Sequence, residues 1–406
     1  MVTASPLTLG VVGGGQLGRM LAEAASPLGV ELIVLDPTPD CPASLVARDQ
    51  IVGDFDDEEA IRELAERSDA LTFEIELADP DVLEAVSEEY DVPVHPDPAT
   101  LRTIQDKLVQ KRALQDRGIP VPDFRPVDSR EDLLEAGEEF GYPMMLKARR
   151  GGYDGRGNVP VEDEDDVDDA LSQVSGELMV EEFVPFEREL SVIAVKGDDE
   201  VATFPVGENV HEEEILRQTV VPARTSDEVR ERAEDVAHEV LSALSGRGTY
   251  GIELFECEAR SASQTSSGEQ RDPRAAESEI LVNEIAPRPH NSGHYTIEGA
   301  LTSQFEQHAR GVLGYPLGAT DLRSPVVSSN VLGDVDEPES ADLSGVEGVL
   351  STDGAAFHWY GKREVRPLRK MGHVTLVGDD LDADDESTLT DLLETTRELT
   401  DSLSFQ

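Results

Sequence analysis

The sequence predicts an α/β amino-terminal unit, an α+β body and a small β-rich carboxyl-terminal part. Three observations carry this reading. Up to Glu74 short apolar runs alternate with helical patterns; beyond Pro120 strands and helices are mixed; and after Pro325 strand-like runs dominate. A chain of 406 residues, 38% of them hydrophobic, can bury more than one core. The expected divisions are residues 1–98, 99–320 and 321–406.

In order, Leu7 to Val12, Glu31 to Asp36 and Ala70 to Glu74 read as strands, with helices at Gln16 to Ala25 and Glu58 to Arg67, a βαβαβ unit on a parallel sheet. The proline-dotted stretch from Val92 to Pro98 marks a boundary, and Ala99 to Arg117 has the charge and spacing of one exposed helix. Further strands are expected at Met144 to Ala148, Leu178 to Phe183, Leu190 to Val195 and Val201 to Val206. Glu258 to Glu279, poor in large apolar groups, reads as an exposed insertion between two strands. The terminal part offers strands at Val326 to Leu332, Ala355 to Trp359 and His373 to Val377.

Charge narrows the function. With 86 acidic against 34 basic residues the formal net charge is −52, which argues against nucleic acid and against an anionic membrane surface. The carboxylates are spread along the whole chain, a composition suited to a high-salt cytoplasm where screening shortens the Debye length to roughly 3 Å. Cys41 and Cys257 have neither metal-site nor disulfide spacing. With no leader-like amino terminus and no stretch of ~20 apolar residues, the expected location is the cytoplasm.

Five segments carry chemistry. Gly13-Gly14-Gly15-Gln16-Leu17-Gly18 follows a strand, opens a helix and is answered by Asp36; a dinucleotide, a mononucleotide phosphate or a mere tight turn all fit. Gly151 to Asn158, four residues after Lys147, has the glycines of a mobile hairpin whose amides can close on a triphosphate, with the lysine as a point charge beside it. Glu253 and Glu284 sit among apolar strand neighbours, where magnesium held with phosphate oxygens would compensate them. Either could instead be a harmless acid on a solvated face. Pro287 to His294 is dense in donors, and Arg288, His290 and Asn291 suit a small oxyanion; His294, His308 and His238 read as structural. Lys362 to Lys370 is the one basic cluster, fit for a phosphate monoester.

Gly15-Gln16-Leu17-Gly18-Arg19-Met20, the Gly152 to Asn158 loop, Asn283-Glu284 with Pro287 to His294, and His358-Trp359-Tyr360 with Arg369 to His373 occur in an order that resembles the 5-(carboxyamino)imidazole ribonucleotide synthases, a family of ATP-grasp enzymes. The resemblance implies a Rossmann-like pre-ATP-grasp domain, a central ATP-grasp module and a small terminal domain, assembled as a homodimer. It implies an enzyme that uses ATP, Mg2+ and bicarbonate to carboxylate aminoimidazole ribonucleotide through carboxyphosphate. On that pattern ATP lies against Lys107, Lys147, Gly152, Tyr153, Asp154, Gly155, Arg156, Gly157, Asn158, Glu181, Glu182, Phe183, Val184, Glu189, His211, Asn283 and Glu284. Glu253 and Glu284 match metal ligands. Tyr153, Arg156, Arg288, His290 and Asn291 match the surroundings of the reacting phosphoryl group, and Gln16, Leu17, Glu74, Asp154, Lys362, Arg369 and Lys370 those of the ribonucleotide. The first glycine loop thereby passes from dinucleotide to nucleotide substrate. This sequence departs from the pattern at Leu77, at Glu214 and at Leu368, the last two standing where glycine is common. A formate-using ligase of the same fold, a non-catalytic nucleotide sensor and a dehydrogenase are the competing readings.

Overall fold

The short apolar runs of the first hundred residues pair side by side in parallel, in the order Asp49–Ile51, Val30–Leu35, Leu7–Val12, Ala70–Phe73. The helix Gln16–Ala25 covers one face through Leu17, Met20 and Leu21; Glu58–Glu66 and Pro80–Tyr90 cover the other. Asp57 and Asp79 start these last two helices by accepting hydrogen bonds from amides of the first turn. The computed structural model describes residues 6–151, 157–258, 278–379 and 385–405.

The expected exposed helix from Ala99 to Arg117 is two helices, Pro98–Ile104 and Lys107–Gln115. The Asp106 carboxylate accepts from the amides of Leu108 and Val109, so a new helix begins there instead of the old one continuing. Nor is the segment exposed, because Leu101, Ile104, Leu108 and Leu114 are buried together with Gln110 and Lys111. The strand expected from Val201 to Val206 stops at Thr203, and Phe204 turns into a core against Ile193 and Tyr295.

Two antiparallel sheets make up the body. The smaller has the order Phe124–Val127, Leu178–Glu182, Met144–Ala148, Asn158–Val161. In the larger, Ser278–Ala286, Gly248–Glu258, Phe186–Lys196, Gly207–Glu212 and Ile215–Val221 lie side by side. Val326–Leu332, Lys370–Val377 and Ala355–Trp359 continue this same sheet, so the β-rich terminal part extends the central layer. The helix Lys107–Gln115 lies where the two sheets meet: Lys111 reaches Glu181 of the small sheet and the Val282 carbonyl of the large one.

Period-two alternation sorts the large sheet's faces. Leu190, Val192, Ala194, Tyr250, Ile252 and Leu254 pack on Val229, Ala233, Val236 and Val240 of the helix Asp227–Ala243. Glu189, Ser191 and Glu253 alternate with them along their strands and share the opposite face. Glu258 pairs with Ser278, so the insertion leaves the sheet at a hairpin end; residues 259–277 lie outside the described ones.

Candidate active site

Glu253 and Glu284 are direct cross-strand partners. Below Glu253 the ladder runs regularly, with Ile252 opposite Ile285; above it Leu254 faces Val282, so Asn283 is an extra residue, a β-bulge. Burial, then the neighbouring Glu284, push Glu253 up to about 7. Burial acts the same way on Glu284, but Lys107, whose Nζ lies 2.9 Å from Glu284 Oε1, outweighs it and holds this carboxyl below its usual range. Glu284 keeps 48% of its side chain open. An unequal carboxylate pair with one open member fits a divalent cation; among the described residues no group of three or more His, Cys, Asp or Glu side chains could hold a metal ion, so the remaining ligands would come from a bound phosphate or water.

The loop after Glu284 brings up the donors. Gly251 lets it lie flat on the neighbouring strand, since a Cβ there would stand 2.4 Å from His290 Cβ. Buried Gln304 clamps the His290 backbone, accepting from its amide at 2.9 Å and donating to its carbonyl at 2.7 Å. His290 Nε2 is then 3.6 Å from Glu253 Oε1. Arg288 is fixed by Glu76, with Nε and Nη2 at 2.9 and 3.1 Å from its two carboxylate oxygens. Asn291 Nδ2 is buried and takes no partner among the described residues, a donor available to a ligand. Gln304 and Glu76 escape sequence reasoning: neither lies in a motif, though the Glu74-x-Glu76 spacing at the end of a strand was a legible signal.

Of the positions expected to meet ATP, Lys107, Lys147 and Glu181 come together at the sheet junction. Lys147 Nζ is 2.7 Å from Glu181 Oε2, and Lys107 and Lys111 stand beside them. Glu182, on alternating register, faces away and accepts from the Asp123 amide at 2.9 Å. Phe183 is exposed, whereas Val184 is buried against Cys257 and Leu281. Glu189 is hydrogen-bonded to His211 Nδ1; burial would depress that imidazole, but the carboxylate outweighs it and raises it. Asn158 begins the return strand, opposite Lys147, and the Gly157 carbonyl just before it accepts from the Ala148 amide at 2.8 Å. Gly152, Tyr153, Asp154, Gly155 and Arg156 lie outside the described residues.

The first glycine loop holds an internal anion. Glu74 accepts from the amides of Gly15 and Gly18 at the start of the helix Gln16–Ala25, and burial pushes its carboxyl up to about 7 against the effect of those hydrogen bonds. Gln16 opens that helix beside it. Leu17 turns its side chain into the core with Met20 and Tyr360. The Tyr360–Lys370 segment packs over this helix, since a Cβ on Gly361 would come within 2.6 Å of Arg19 Nη1 and Arg363 pairs with Asp40. Within it Lys362 Nζ donates to the Lys370 carbonyl at 2.6 Å and Arg369 to the Glu364 carbonyl at 2.7 Å. Lys370 acts electrostatically on both His211 and Glu253, so the field of the basic cluster extends to Glu253. His294 and His308 are structural: the first packs on His373 and Phe305, the second joins two sheets.

Models of known families match in the same order: a ribonucleotide synthetase preATP-grasp domain over residues 7–105, an ATP-grasp domain over 112–305 and a phosphoribosylaminoimidazole carboxylase C-terminal domain over 327–387. The chain is 40% identical over 374 residues to the N5-carboxyaminoimidazole ribonucleotide synthase of Brucella melitensis, covering 91% of this chain and 96% of that protein. It is also 40% identical over 380 residues to the phosphoribosylaminoimidazole carboxylase of Schizosaccharomyces pombe, covering 91% of this chain but only 65% of the longer yeast protein. A crystal structure of N5-carboxyaminoimidazole synthase from Aspergillus clavatus, in complex with ADP and 5-aminoimidazole ribonucleotide, superimposes with a TM-score of 0.83 at 34% identity, covering 98% of this chain and 100% of that one. With its sheet junction, its bulged carboxylate pair and its basic terminal segment in that order, the chain belongs to the N5-carboxyaminoimidazole ribonucleotide synthase family of ATP-grasp ligases.

Proposed function

We propose that this protein carboxylates the exocyclic amine of 5-aminoimidazole ribonucleotide with bicarbonate, converting ATP to ADP and phosphate, a step of purine biosynthesis. The observation that carries this is the cross-strand pair of Glu253 and Glu284 at the sheet junction, flanked by Lys107, Arg288 and His290. Bicarbonate oxygen attacks the terminal phosphorus as the bond to ADP breaks; the carbon then passes to the amine, which loses one proton, and phosphate leaves. Charge accumulates on the transferred group, so the site must offer cations and fixed donors there.

Lys107 and Lys147 stand at the triphosphate side, and Arg288, His290 and Asn291 at the oxyanion side. Arg288 is held in place by Glu76 and His290 by Gln304, which fixes both donors before a substrate arrives. Glu253 and Glu284 would hold Mg2+, which when bound neutralises phosphate charge. Glu74 and the Lys362, Arg369 and Lys370 segment face the ribonucleotide, its phosphate matched to the basic cluster. The working assembly is a homodimer in a high-salt interior, which light scattering in concentrated KCl tests. Among the described residues no helix is long and apolar enough to cross a membrane.

The test is ADP release by purified protein in concentrated KCl with magnesium, bicarbonate and aminoimidazole ribonucleotide. ADP formation should depend on the ribonucleotide and should stop when formate replaces bicarbonate. Folded protein that releases no substrate-dependent ADP rejects the reading, and turnover with formate would transfer the chain to the transformylase chemistry.

A further inference from the structure

One charged group at the sheet junction has no role in the chemistry above. Lys111 is 2% exposed, on the helix between the two sheets, and its ammonium has two partners: the Val282 carbonyl at 3.0 Å and Glu181 Oε1 at 3.3 Å. The other oxygen of Glu181 is held by Lys147 at 2.7 Å. Two lysines therefore share one carboxylate, itself 2% exposed, one at each oxygen. The chain has only six lysines among its 34 basic residues, so two of the six converge on a single buried acid.

The two differ in freedom. Lys111 is enclosed and tied to both sheets, with no open side toward a ligand. Lys147 is 13% exposed, near the end of its strand and four residues before the glycine hairpin. A phosphate arriving at the junction can draw Lys147 but not Lys111. Without Lys111, drawing Lys147 away would strand a buried carboxylate with no cation on either oxygen, a strongly unfavourable state.

We propose that Lys111 is a positioning residue for ATP, the fixed counter-ion of Glu181 that leaves Lys147 free to turn its charge to the nucleotide phosphates. The proposal rests on the ATP-dependent reading above. The electrostatics agree with it: burial would raise Glu181, but Lys111 first and Lys147 second pull it down to about 2, so it stays ionised. Lys111 itself is lowered by burial to about 8, with Glu181 opposing that fall. A compact ammonium suits the place, since it meets a carbonyl and a carboxylate from one point, where a planar guanidinium would need a wider cavity.

The experiment is ATP binding by calorimetry in concentrated KCl with magnesium, on the full chain and on Lys111→Met, Glu181→Gln and the double variant. Lys111→Met should weaken ATP binding about 10-fold or more, while the KM for the ribonucleotide stays the same. The double variant, which removes both buried charges, should return to within about threefold of Glu181→Gln. A merely structural Lys111 would not be rescued by removing the acid. Unchanged ATP affinity in Lys111→Met, or a double variant that binds ATP clearly more weakly than Glu181→Gln, overturns the proposal. Should Lys111→Met fail to fold, the double variant, with no stranded charge, decides alone: parity with Glu181→Gln supports the proposal and a further loss overturns it. Wild-type protein that binds no ATP overturns the reading beneath it, and the proposal with it.

Discussion

Lys107 Nζ and Glu284 Oε1 meet at 2.9 Å, one on the helix at the sheet junction and the other on the bulged strand. Glu284 thus has a cation on one side and Glu253 directly across the strand pair on the other. Its side chain is 48% open, so losing its charge should affect stability little and chemistry strongly. Glu284→Gln is expected to lower kcat by at least about 100-fold, with a melting shift of a few degrees at most. ADP release and circular dichroism check it, and near-normal turnover would remove Glu284 from the site.

Gly13 has φ +109°, and a Cβ there would stand 2.3 Å from Glu74 Cγ. Gly13→Ala therefore strains the turn and displaces the one carboxylate that the helix amides hold. The KM for the ribonucleotide should rise roughly 10-fold or more, a loss confined to that end of the site, with ATP affinity unchanged. Equal losses for both substrates would show that Glu74 does not act at the ribonucleotide end.

Glu213 and Glu214, with φ of +53° and +61°, form the two-residue connection between Gly207–Glu212 and Ile215–Val221, the backbone of a type I′ turn. Leu368 has φ +59° and is exposed. Two of the three departures from the family pattern therefore sit where the backbone favours glycine. Glu214→Gly and Leu368→Gly should each stabilise the protein by about 1 kcal/mol in denaturant titrations at fixed salt. No gain at either position would mean that the side chains there make compensating contacts.

His308 accepts from the Thr249 amide at Nδ1, 3.0 Å away, which leaves Nε2 to donate to Thr72 Oγ1 at 2.8 Å. It thereby links the amino-terminal sheet to the central one while neutral, and burial lowers it from 6.5 to about 3. His95, at the same boundary, is lowered to about 4, again chiefly by burial. Between these values and 6.5 the unfolded chain binds protons that the folded chain does not. Stability is therefore full above about pH 6.5 and falls as pH drops toward 3. His308→Gln, which takes up no proton, should show a shallower fall over that window in urea titrations at fixed KCl; an unchanged slope would exclude His308 as a source.

Net charge sets a salt dependence. At −52 the folded chain repels itself, and its described arginine pairs, such as Arg102 with Asp81 and Arg67 with Asp49, are largely exposed. Raising KCl from roughly 0.1 M to roughly 2 M should lift the melting temperature by about 10 °C or more. A flat or falling curve would refute adaptation to high salt.

The sequence by itself determined the elements whose signal is local. The strand Leu7–Val12, the helix Gln16–Ala25, the return of the chain that sets Asn158 opposite Lys147 and the two acids on neighbouring strands are legible because alternation, glycine spacing and apolar flanks are properties of adjacent residues. The family motifs then supplied the order of the site. Tertiary structure alone decided what depends on partners distant in sequence. That Lys111 is buried between two sheets, that Glu76 fixes Arg288 across 212 positions, and that the terminal strands extend the central sheet cannot be read from local periodicity. The charge and spacing of residues 99–117 fit an exposed helix, but buried Lys111 has its partners at Glu181 and Val282, 70 and 171 positions away along the chain. Only packing brings those groups together, and with them the electrostatics of the site.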